Sequence, residues 1–325
     1  MKKRKLKKNV VRVFAIIILV IIVGFCYTIK YNDDAKEKAE AEKIAKEKAQ
    51  KEEYDLCLIS PFVETDLSKE LKLEQDTLTA YVKNKYNVSI KYEDITTGYS
   101  YTYNPATIYY GASLIKMVEA LYLYEKASIK EIDLDASITY LSQDMLTPSL
   151  GMKKYKVGDK VSLKEIVSYA LLYSDNTAHK IMQRIIGTTE LKQYFKDLEV
   201  TFNLGDGYGE WSAEGANKVL KRLYEFIKNN KELGKELKGW LINTDEANMI
   251  NNKIAAHKYG HYAEYFHDIA VVYEDKPYAI SIFTRHGATN YQAVIKDVSE
   301  KILELHNNFH DNRTTSCQRQ VYGNE

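Results

Sequence analysis

Segments with the alternating pattern of β-strands lie at both ends of the globular part of this chain, on either side of a long helical stretch. Five segments show the pattern: residues 88–92, 99–103, 258–260, 267–274 and 278–284. The first two flank Thr97-Gly98, which predicts a β-hairpin, and the last two are joined by a short turn. The two groups together predict one antiparallel sheet of five strands, made from both ends of the domain.

The stretch between the two groups of strands has the periodicity of helices. Residues 113–126, 163–172 and 178–186 place apolar side chains at helical spacing. The predicted fold class is therefore α/β in the α+β sense: a five-stranded antiparallel sheet flanked by helices, with an all-helical subdomain inserted into it. A functional site is expected in the seam between the sheet and the inserted subdomain.

The N-terminus carries a membrane-targeting signal. Residues 1–12 are rich in lysine and arginine and precede an uncharged run over residues 13–29, which is just long enough to span a bilayer. The basic flank predicts that residues 1–12 are cytoplasmic and that the bulk of the chain is extracytoplasmic. A cleaved signal peptide is the alternative, but the run is long for one and its exit lacks a small-x-small cleavage site.

The segments on either side of the globular domain are polar. Residues 30–58 are predicted to form a charged helical stalk, because they combine strong helix formers with charge on all sides. The globular domain is expected over residues 59–308, and a flexible tail over residues 309–325. Cys57 and Cys317 flank the domain, and a disulfide between them is left open.

The overall charge excludes some classes of partner. The chain has a net charge of +1 and a pI near 7.6, and its basic residues concentrate at the N-terminus, so no nucleic-acid partner is predicted. The sequence has neither a His-Glu-x-x-His motif nor paired cysteines at zinc spacing, so no metal and no other cofactor is predicted. The globular domain is expected to be a monomer.

Three short motifs predict nucleophilic chemistry. Ser113 and Lys116 lie at i and i+3 and therefore share one face of the predicted helix. An uncharged Lys116 can take the proton of the Ser113 hydroxyl and so create a nucleophile. Ser174-Asp175-Asn176 and Lys258-Tyr259-Gly260 follow downstream and are expected to form the other walls of the same site.

This chemistry requires a neutral lysine. Desolvation and a second cation both lower the pKa of a lysine, and Lys258 on a neighbouring strand is the candidate for that cation. The backbone N–H groups of Ser113 and His261 are the candidate donors to an oxyanion. A competing interpretation makes Ser174-Asp175-Asn176 the N-terminal cap of the helix that follows, and both interpretations can hold together.

The three motifs together resemble those of the penicillin-recognising serine hydrolases, most closely the class A β-lactamase branch. The resemblance implies that Ser113 is the acylated nucleophile, Lys116 is its base and Ser174 passes a proton to the leaving nitrogen. It also implies that Asn176 binds the substrate amide and that Lys258 faces the substrate carboxylate.

The chain departs from that family in two places within the matching part, residues 64–305. Tyr259 stands where the family has Thr or Ser, so a bulky phenol replaces a small hydroxyl that helps to bind the substrate carboxylate. No intact Glu-x-x-Leu-Asn motif follows the second motif, and the nearest string begins at Glu199. The second and third motifs are 84 residues apart (258 − 174), about twenty fewer than the family pattern, and the shortened stretch falls in that loop.

The resemblance implies a function in three versions. The first is a membrane-anchored, extracytoplasmic serine hydrolase that opens β-lactam rings through a Ser113 acyl-enzyme, with a missing or non-standard deacylation base. The second is a D,D-peptidase or esterase that acts on peptidoglycan-type substrates such as D-alanyl peptides. The third is a penicillin-binding or sensor module that becomes acylated without turnover.

Overall fold

A computed structural model describes residues 2–63, 68–244, 250, 254–285 and 291–323 of the chain. The chain divides into two compact units. One comprises Met1–Ile59 together with Arg313–Glu325, and the other is the globular domain, Ser60–Asn312.

The order of the helices and strands along the chain is that of a sheet interrupted by helices: strands come before and after a mainly helical region. In the described part of the chain the α-helices are α1 (Lys2–Ile59), α2 (Lys69–Lys85), α3 (Ile115–Ser128), α4 (Leu163–Leu172), α5 (Asn176–Ile186), α6 (Thr188–Asp197), α7 (Ala213–Asn229), α8 (Lys231–Ile242) and α9 (Tyr291–Tyr322). The strands are β1 (Val88–Asp94), β2 (Ser100–Tyr103), β3 (Ile108–Tyr110), β4 (Ser137–Thr139), β5 (Lys160–Ser162), β6 (Glu210–Ser212), β7 (Ala255–Tyr262), β8 (Tyr265–Val272) and β9 (Tyr278–Arg285).

The predicted five-stranded antiparallel sheet is confirmed. Its strands lie in the order β2-β1-β9-β8-β7, and every neighbouring pair is antiparallel. β1 and β2 come before the helical region and β7 to β9 come after it, so the sheet joins both ends of the domain as the sequence predicted. β9 is the central strand, which pairs Ile282 with Ile90 on one side and with Asp268 on the other.

Both faces of the sheet are buried, and the alternation along β9 shows how. Tyr278, Ile280 and Ile282 face a core that also contains apolar side chains of α2 and α9. Ala279 and Phe283 face the second core, which the inserted helices α3 to α8 complete. Because successive side chains of a strand point to opposite faces, a central strand covered on both sides reads as a nearly continuous apolar run.

A two-stranded sheet of β3 and β6 connects the inserted helical region to the main sheet. Trp211 in β6 is fully buried opposite Tyr109, and its ring packs edge-on against Phe195 and Phe283. Truncation of a buried tryptophan to alanine typically costs about 3–5 kcal/mol. This aromatic contact therefore holds the strand that leads to Ser113.

The N-terminal unit consists mainly of α1, which covers both the segment predicted as an anchor and the segment predicted as a stalk. Cys57 near the end of α1 forms a disulfide with Cys317, whose Cα lies 5.9 Å away. Arg313 donates to the backbone carbonyls of Cys57 and Leu58, at 2.7 and 2.9 Å. The disulfide that the sequence left open is present.

The predicted flexible tail is wrong over the described residues 309–323. α9 was expected to end near residue 305, but it continues without a break to Tyr322. The polar composition of this segment hid the helix, because the contacts that support it involve residues far away in sequence. These contacts are the Cys57–Cys317 disulfide and the packing of the Tyr54 and Tyr322 rings, 5.8 Å apart.

The disulfide predicts the number of free thiols. Chain denatured without reductant should react with one equivalent of a thiol reagent, at Cys26, and with three equivalents after reduction. A Cys26→Ser variant is the matched control and should give none before reduction. Three reactive thiols in the unreduced wild-type chain would contradict the pairing.

Candidate active site

Ser113 lies where the chain passes from a strand into a helix. β3 ends at Tyr110, Ala112–Leu114 form a single 3₁₀ turn, and α3 follows directly. Ala112 has a φ of +49°, in the left-handed region that non-glycine residues seldom adopt. Ser113 keeps partial solvent exposure, whereas Ala112 and Leu114 are buried. The turn thus leaves the serine accessible on a tightly packed segment.

Two glycines let the Ser113 turn and strand β7 approach each other closely. A Cβ on Gly111 would lie 2.1 Å from Nε1 of Trp211, and a Cβ on Gly260 would lie 2.7 Å from the carbonyl oxygen of Gly111. Neither position has room for a side chain. The glycine of Lys258-Tyr259-Gly260 therefore allows β7 to form one wall beside Ser113.

His267 ties the Ser113 segment to the main sheet. Its Nδ1 accepts a hydrogen bond from the backbone N–H of Thr284, so its Nε2 carries the proton and donates to the carbonyl of Tyr110 at 2.9 Å. Complete burial lowers the pKa of His267 to about 4, so the ring is neutral at physiological pH. The His267 side chain therefore positions the backbone of Tyr110, the residue before Gly111.

The structure brings Lys116 to Ser113 and to the second motif at once. The Lys116 Nζ lies 2.9 Å from the Ser113 Oγ, 2.5 Å from the carbonyl oxygen of Ser174 and 2.7 Å from the Asn176 Oδ1. The Asn176 side-chain nitrogen faces the carbonyl of Thr147 at 3.2 Å, which assigns Oδ1 to the lysine side. Two oxygens that can only accept therefore face the amine.

The hydrogen-bond count around Lys116 suits a neutral amine. A neutral lysine has two N–H bonds and one lone pair, and the two acceptors from Ser174 and Asn176 use both N–H bonds. The lone pair then faces the Ser113 hydroxyl, which can donate its proton. An ammonium would instead place a third N–H against the Ser113 oxygen and could accept nothing.

The surroundings of Lys116 also favour its neutral form. The side chain is fully buried, and its pKa is well below the ordinary value, first because of desolvation and second because of the positive charge of Lys258. The carboxylates of Glu119 and Asp175 act in the opposite direction but do not outweigh the burial. Burial and the second cation thus both favour an amine that can accept a proton.

Ser174 lies between the two lysines. Its Oγ is 3.3 Å from the Lys116 Nζ and 3.1 Å from the Lys258 Nζ. Its φ of +50° is again in the left-handed region, as at Ala112. The strained backbone directs the carbonyl and the hydroxyl of one residue to the same amine, which an extended chain would not do.

Asp175 supports this turn rather than facing Ser113. One carboxylate oxygen caps α5 by accepting from the N–H of Ala178 at 2.9 Å. The other accepts from Ser149 Oγ and from the backbone N–H groups of Gly151 and Met152. The capping interpretation of the second motif therefore holds, while the residues on either side, Ser174 and Asn176, contact Lys116.

The remaining residues predicted for the site lie on β7. The fully buried Lys258 also bonds the carbonyl of Tyr259, and its Nζ lies 3.9 Å from the centre of the Tyr259 ring. His261 is exposed, and its ring packs near Phe266 and Tyr291. The imidazole of His261 thus has neighbours of its own, and the role of the His261 backbone N–H as an oxyanion donor stays a prediction.

The carboxylates of the shortened loop have partners outside the Ser113–Lys116 pair. Glu199 has a φ of +55°, its side chain is 85% exposed, and it lies 4.0 Å from Lys218. Asp206 accepts from the hydroxyl of Tyr110 at 3.0 Å, and Glu210 accepts from the side chain of Asn203 at 2.9 Å. Glu199, the nearest sequence match to the family's glutamate, is thus on an exposed bend.

The sequence analysis did not identify a buried pair of polar residues that lies behind Lys116. Glu119, one helical turn after Lys116, bonds His179, one turn after Asn176, at 2.8 Å, and both are fully buried. Among the residues that the structure describes, the other oxygen of Glu119 and the Nε2 of His179 have no hydrogen-bond partner. The ring of Tyr208 packs against His179 at 4.7 Å and lies 6.0 Å from the Lys116 Nζ.

The i+3 spacing in the sequence was a signal for the Glu119–His179 pair. The spacing from Lys116 to Glu119 equals that from Asn176 to His179, and residues three apart on a helix share a face. Polar residues within helices are usually solvated or structural, so the spacing alone does not identify this pair. Only the packing of α3 beside α5, in which Lys116 meets Asn176 and Glu119 meets His179, puts the carboxylate and the imidazole in contact.

The arrangement around Ser113 is suited to acyl transfer. The side chains are two hydroxyls, two amines and an amide, a set that moves protons and binds anions and is not a typical set of metal ligands. Ser113 has a base within hydrogen-bond distance, and that base is oriented by further groups, which is the arrangement required to activate a serine.

The comparison with protein families agrees with this site. The model described as the beta-lactamase enzyme family matches residues 72–305, which is more than half of the chain and contains all three motifs. The matched region begins within α2 and ends within α9, so it includes the whole five-stranded sheet and the inserted helices.

The fold is similar to solved β-lactamases and to PBP-A. The TLA-1 extended-spectrum β-lactamase shares 18% identity over 73% of this chain and 99% of its own, with a TM-score of 0.65. A β-lactamase from Chitinophaga pinensis shares 18% identity over 73% of this chain and 100% of its own, with a TM-score of 0.63. PBP-A shares 16% identity over 73% of this chain and 97% of its own, with a TM-score of 0.66. With the family match over residues 72–305, these likenesses lead to one conclusion: the chain belongs to the β-lactamase enzyme family.

Proposed function

We propose that the chain is a membrane-anchored, extracytoplasmic serine hydrolase that opens β-lactam rings through an acyl-enzyme on Ser113 and releases the product slowly. One observation carries the proposal: the fully buried amine of Lys116, whose pKa desolvation and Lys258 lower well below its ordinary value, lies 2.9 Å from the Ser113 hydroxyl. The family to which the chain belongs supports the substrate class.

Acylation begins with proton transfer. The Ser113 hydroxyl gives its proton to the lone pair of Lys116, and its oxygen forms a bond to the lactam carbonyl carbon. The backbone N–H groups of Ser113 and His261 stabilise the negative charge on the carbonyl oxygen. The lactam C–N bond then breaks, and the nitrogen takes the proton of the Ser174 hydroxyl, which Lys116 at 3.3 Å replaces.

Substrate binding uses the positive charge on β7. Lys258 attracts the substrate carboxylate from the side opposite Lys116, with Ser174 between the two amines. Asn176 binds the substrate amide. Tyr259 and Gly260 of β7 line the site beside the substrate. Tyr259 places a bulky phenol where the family has a small hydroxyl. We therefore expect the pocket for the substrate carboxylate to differ from that of the family, and the choice of substrate with it.

Slow release follows from the loop before β6. The side chain near Lys116 from this loop is the phenol of Tyr208, and desolvation raises its pKa to about 12, so it is no base at physiological pH. The loss of a general base typically lowers a rate by about 10² to 10⁴, which reduces a turnover of about 10 s⁻¹ to roughly 10⁻¹ to 10⁻³ s⁻¹.

The membrane anchor is supported by α1. Among the described residues, one helix is long and apolar enough to cross a membrane, with a mean hydropathy of 2.8 in its most apolar part, and it lies near the N-terminus. A signal sequence passes the same test. The basic residues before the run and the uninterrupted helix after it favour an anchor with the catalytic domain outside.

A second candidate is a D,D-peptidase or esterase acting on peptidoglycan-type substrates. A charged helix between an anchor and the domain favours it, because an insoluble substrate must be reached from a fixed point on the membrane. A third is a penicillin-binding sensor that is acylated once. A PBP-A variant was solved as an acyl-enzyme with penicillin G, and the likeness in fold keeps both versions open.

A fluorescent penicillin tests whether Ser113 is acylated. The full-length chain in detergent should acquire a covalent label, and Ser113→Ala should acquire none, because the nucleophilic oxygen is missing. Ser149→Ala, which removes a hydroxyl bonded to Asp175, is the matched control and should still be labelled. Equal labelling of wild-type and Ser113→Ala chains would exclude the proposed nucleophile.

The lifetime of the acyl-enzyme separates efficient turnover, slow release and acylation without turnover. Intact mass spectrometry after a penicillin pulse should show the adduct decaying over roughly 10 to 1,000 s, the reciprocal of the rates expected without a general base. A decay within milliseconds would show that an efficient deacylation base exists. An adduct that persists for many hours would favour the sensor.

The pH dependence of acylation tests the role of the second cation. Lys258 lowers the pKa of Lys116, so Lys258→Met should raise it. Since Lys116 acts when unprotonated, the acidic limb of the acylation rate constant should move to higher pH. The rate constant is measured at saturating substrate, because Lys258 also binds the substrate.

Lys218→Met, which removes an exposed lysine beside Glu199, is the control and should leave the limb in place. An acidic limb that stays at the same pH in Lys258→Met, or moves to lower pH, would mean that Lys258 does not control the protonation of Lys116.

A further inference from the structure

Two histidines and an aspartate meet on the side of the globular domain where α9 packs against the sheet. One nitrogen from each of His306 and His310 and one oxygen of Asp94 all lie within 4.8 Å of one another. Asp94 and His306 are buried, and the His310 side chain is 13% exposed. None of the three is used in the chemistry proposed at Ser113.

The spacing of the two histidines suits a shared ligand. Residues four apart on an α-helix lie on one face, which is the reason two histidines at this spacing can bind one metal ion. The rings of His306 and His310 on α9 are 4.6 Å apart between centres. The prediction of no metal rested on other motifs, and the His-x-x-x-His spacing here did not enter it.

Hydrogen bonds from Thr97 fix the orientation of Asp94, the third candidate ligand. Its Oδ1 accepts from both the backbone N–H and the hydroxyl of Thr97, each at 2.7 Å, within the hairpin turn between β1 and β2. Its Oδ2 faces the Nε2 of His310 at 2.9 Å. Two ligands of a tetrahedral zinc ion lie about 3.3 Å apart, so little movement separates this contact from a ligating geometry.

Outer contacts orient His306 in the way that metal-binding histidines are usually oriented. The buried hydroxyl of Tyr92 lies 2.7 Å from its Nδ1, and the ring also bonds the backbone of Lys276. Such second contacts set the ring orientation and the basicity of a ligating histidine. Binding of a metal to His306 replaces one of these two hydrogen bonds.

A cavity gives an ion access to the cluster. Its volume is about 540 Å³, and His306 and His310 line it together with Glu274, Asp275 and Lys276. Three carboxylates line the cavity, those of Glu274, Asp275 and Asp311, against the one ammonium of Lys276, so the lining favours a cation. Water from the cavity can fill the position that three protein ligands leave open on a tetrahedral ion.

We infer that Asp94, His306 and His310 form a binding site for a divalent transition-metal ion, with zinc as the best fit. Two imidazoles and one carboxylate match the preferences of zinc, whereas magnesium and calcium require oxygen ligands. The proton between His310 and Asp94 moves to Nδ1 of His310 or leaves to solvent as the metal binds. The ion then links α9 to the β1–β2 hairpin.

Zinc titration of the full-length chain tests the site. The tag-free chain in detergent, stripped with a chelator, should bind one zinc ion in competition with a chromophoric chelator. His310→Gln should weaken binding at least about tenfold, since loss of a ligand exceeds the usual cost of losing an outer contact. Asn307 lines the same cavity outside the cluster and carries no charge, so the control variant Asn307→Ala should bind zinc as the wild type does.

The melting temperature gives a second readout that does not depend on activity. Zinc should raise the melting temperature of the wild type and of Asn307→Ala but not that of His310→Gln, and circular dichroism without zinc verifies that each variant is folded. Magnesium should have no effect. No zinc binding by the wild type, or equal binding by wild type and His310→Gln, would overturn the assignment.

Discussion

The active-site region depends on the burial of one lysine, Lys116, in surroundings that lower its pKa through desolvation and the nearby charge of Lys258. Full removal of an ammonium from water costs several kcal/mol unless a counter-charge compensates. Lys116 instead meets two acceptors, one hydroxyl and a second lysine, Lys258. Burial, charge and hydrogen-bond count thus act in the same direction, and the elements around the amine are arranged to maintain all three.

Those elements come from distant parts of the chain and meet through small residues and strained turns. Gly111 and Gly260 let β7 lie beside the Ser113 turn, while Ala112 and Ser174 adopt left-handed conformations on either side of the amine. Local strain of this kind persists only where tertiary contacts over-determine it. The aromatic packing around Trp211 and the hydrogen bond from His267 supply such contacts.

The proposed slow release depends on the loop before β6. This loop presents the phenol of Tyr208 toward Lys116 and leaves Glu199 exposed on a bend. Tyr208 in turn packs on His179, which is paired with Glu119. Tyr208 thus connects this loop to a buried polar pair on the two helices that carry Lys116 and Asn176, and the proposed slow release depends on the phenol that the loop places near Lys116.

By itself, the sequence determined the elements whose pattern is local and strong: the hairpin of β1 and β2, the strands β7 to β9, helix α4 and the three motifs. Period-2 and helical alternation report burial directly, so these predictions needed no coordinates. The tertiary structure alone decided the helical course of residues 309–322, the Glu119–His179 pair and the meeting of Asp94 with His306 and His310. Each depends on contacts between residues far apart in sequence, and a polar side chain has the same appearance in a sequence whether water or another chain segment satisfies it.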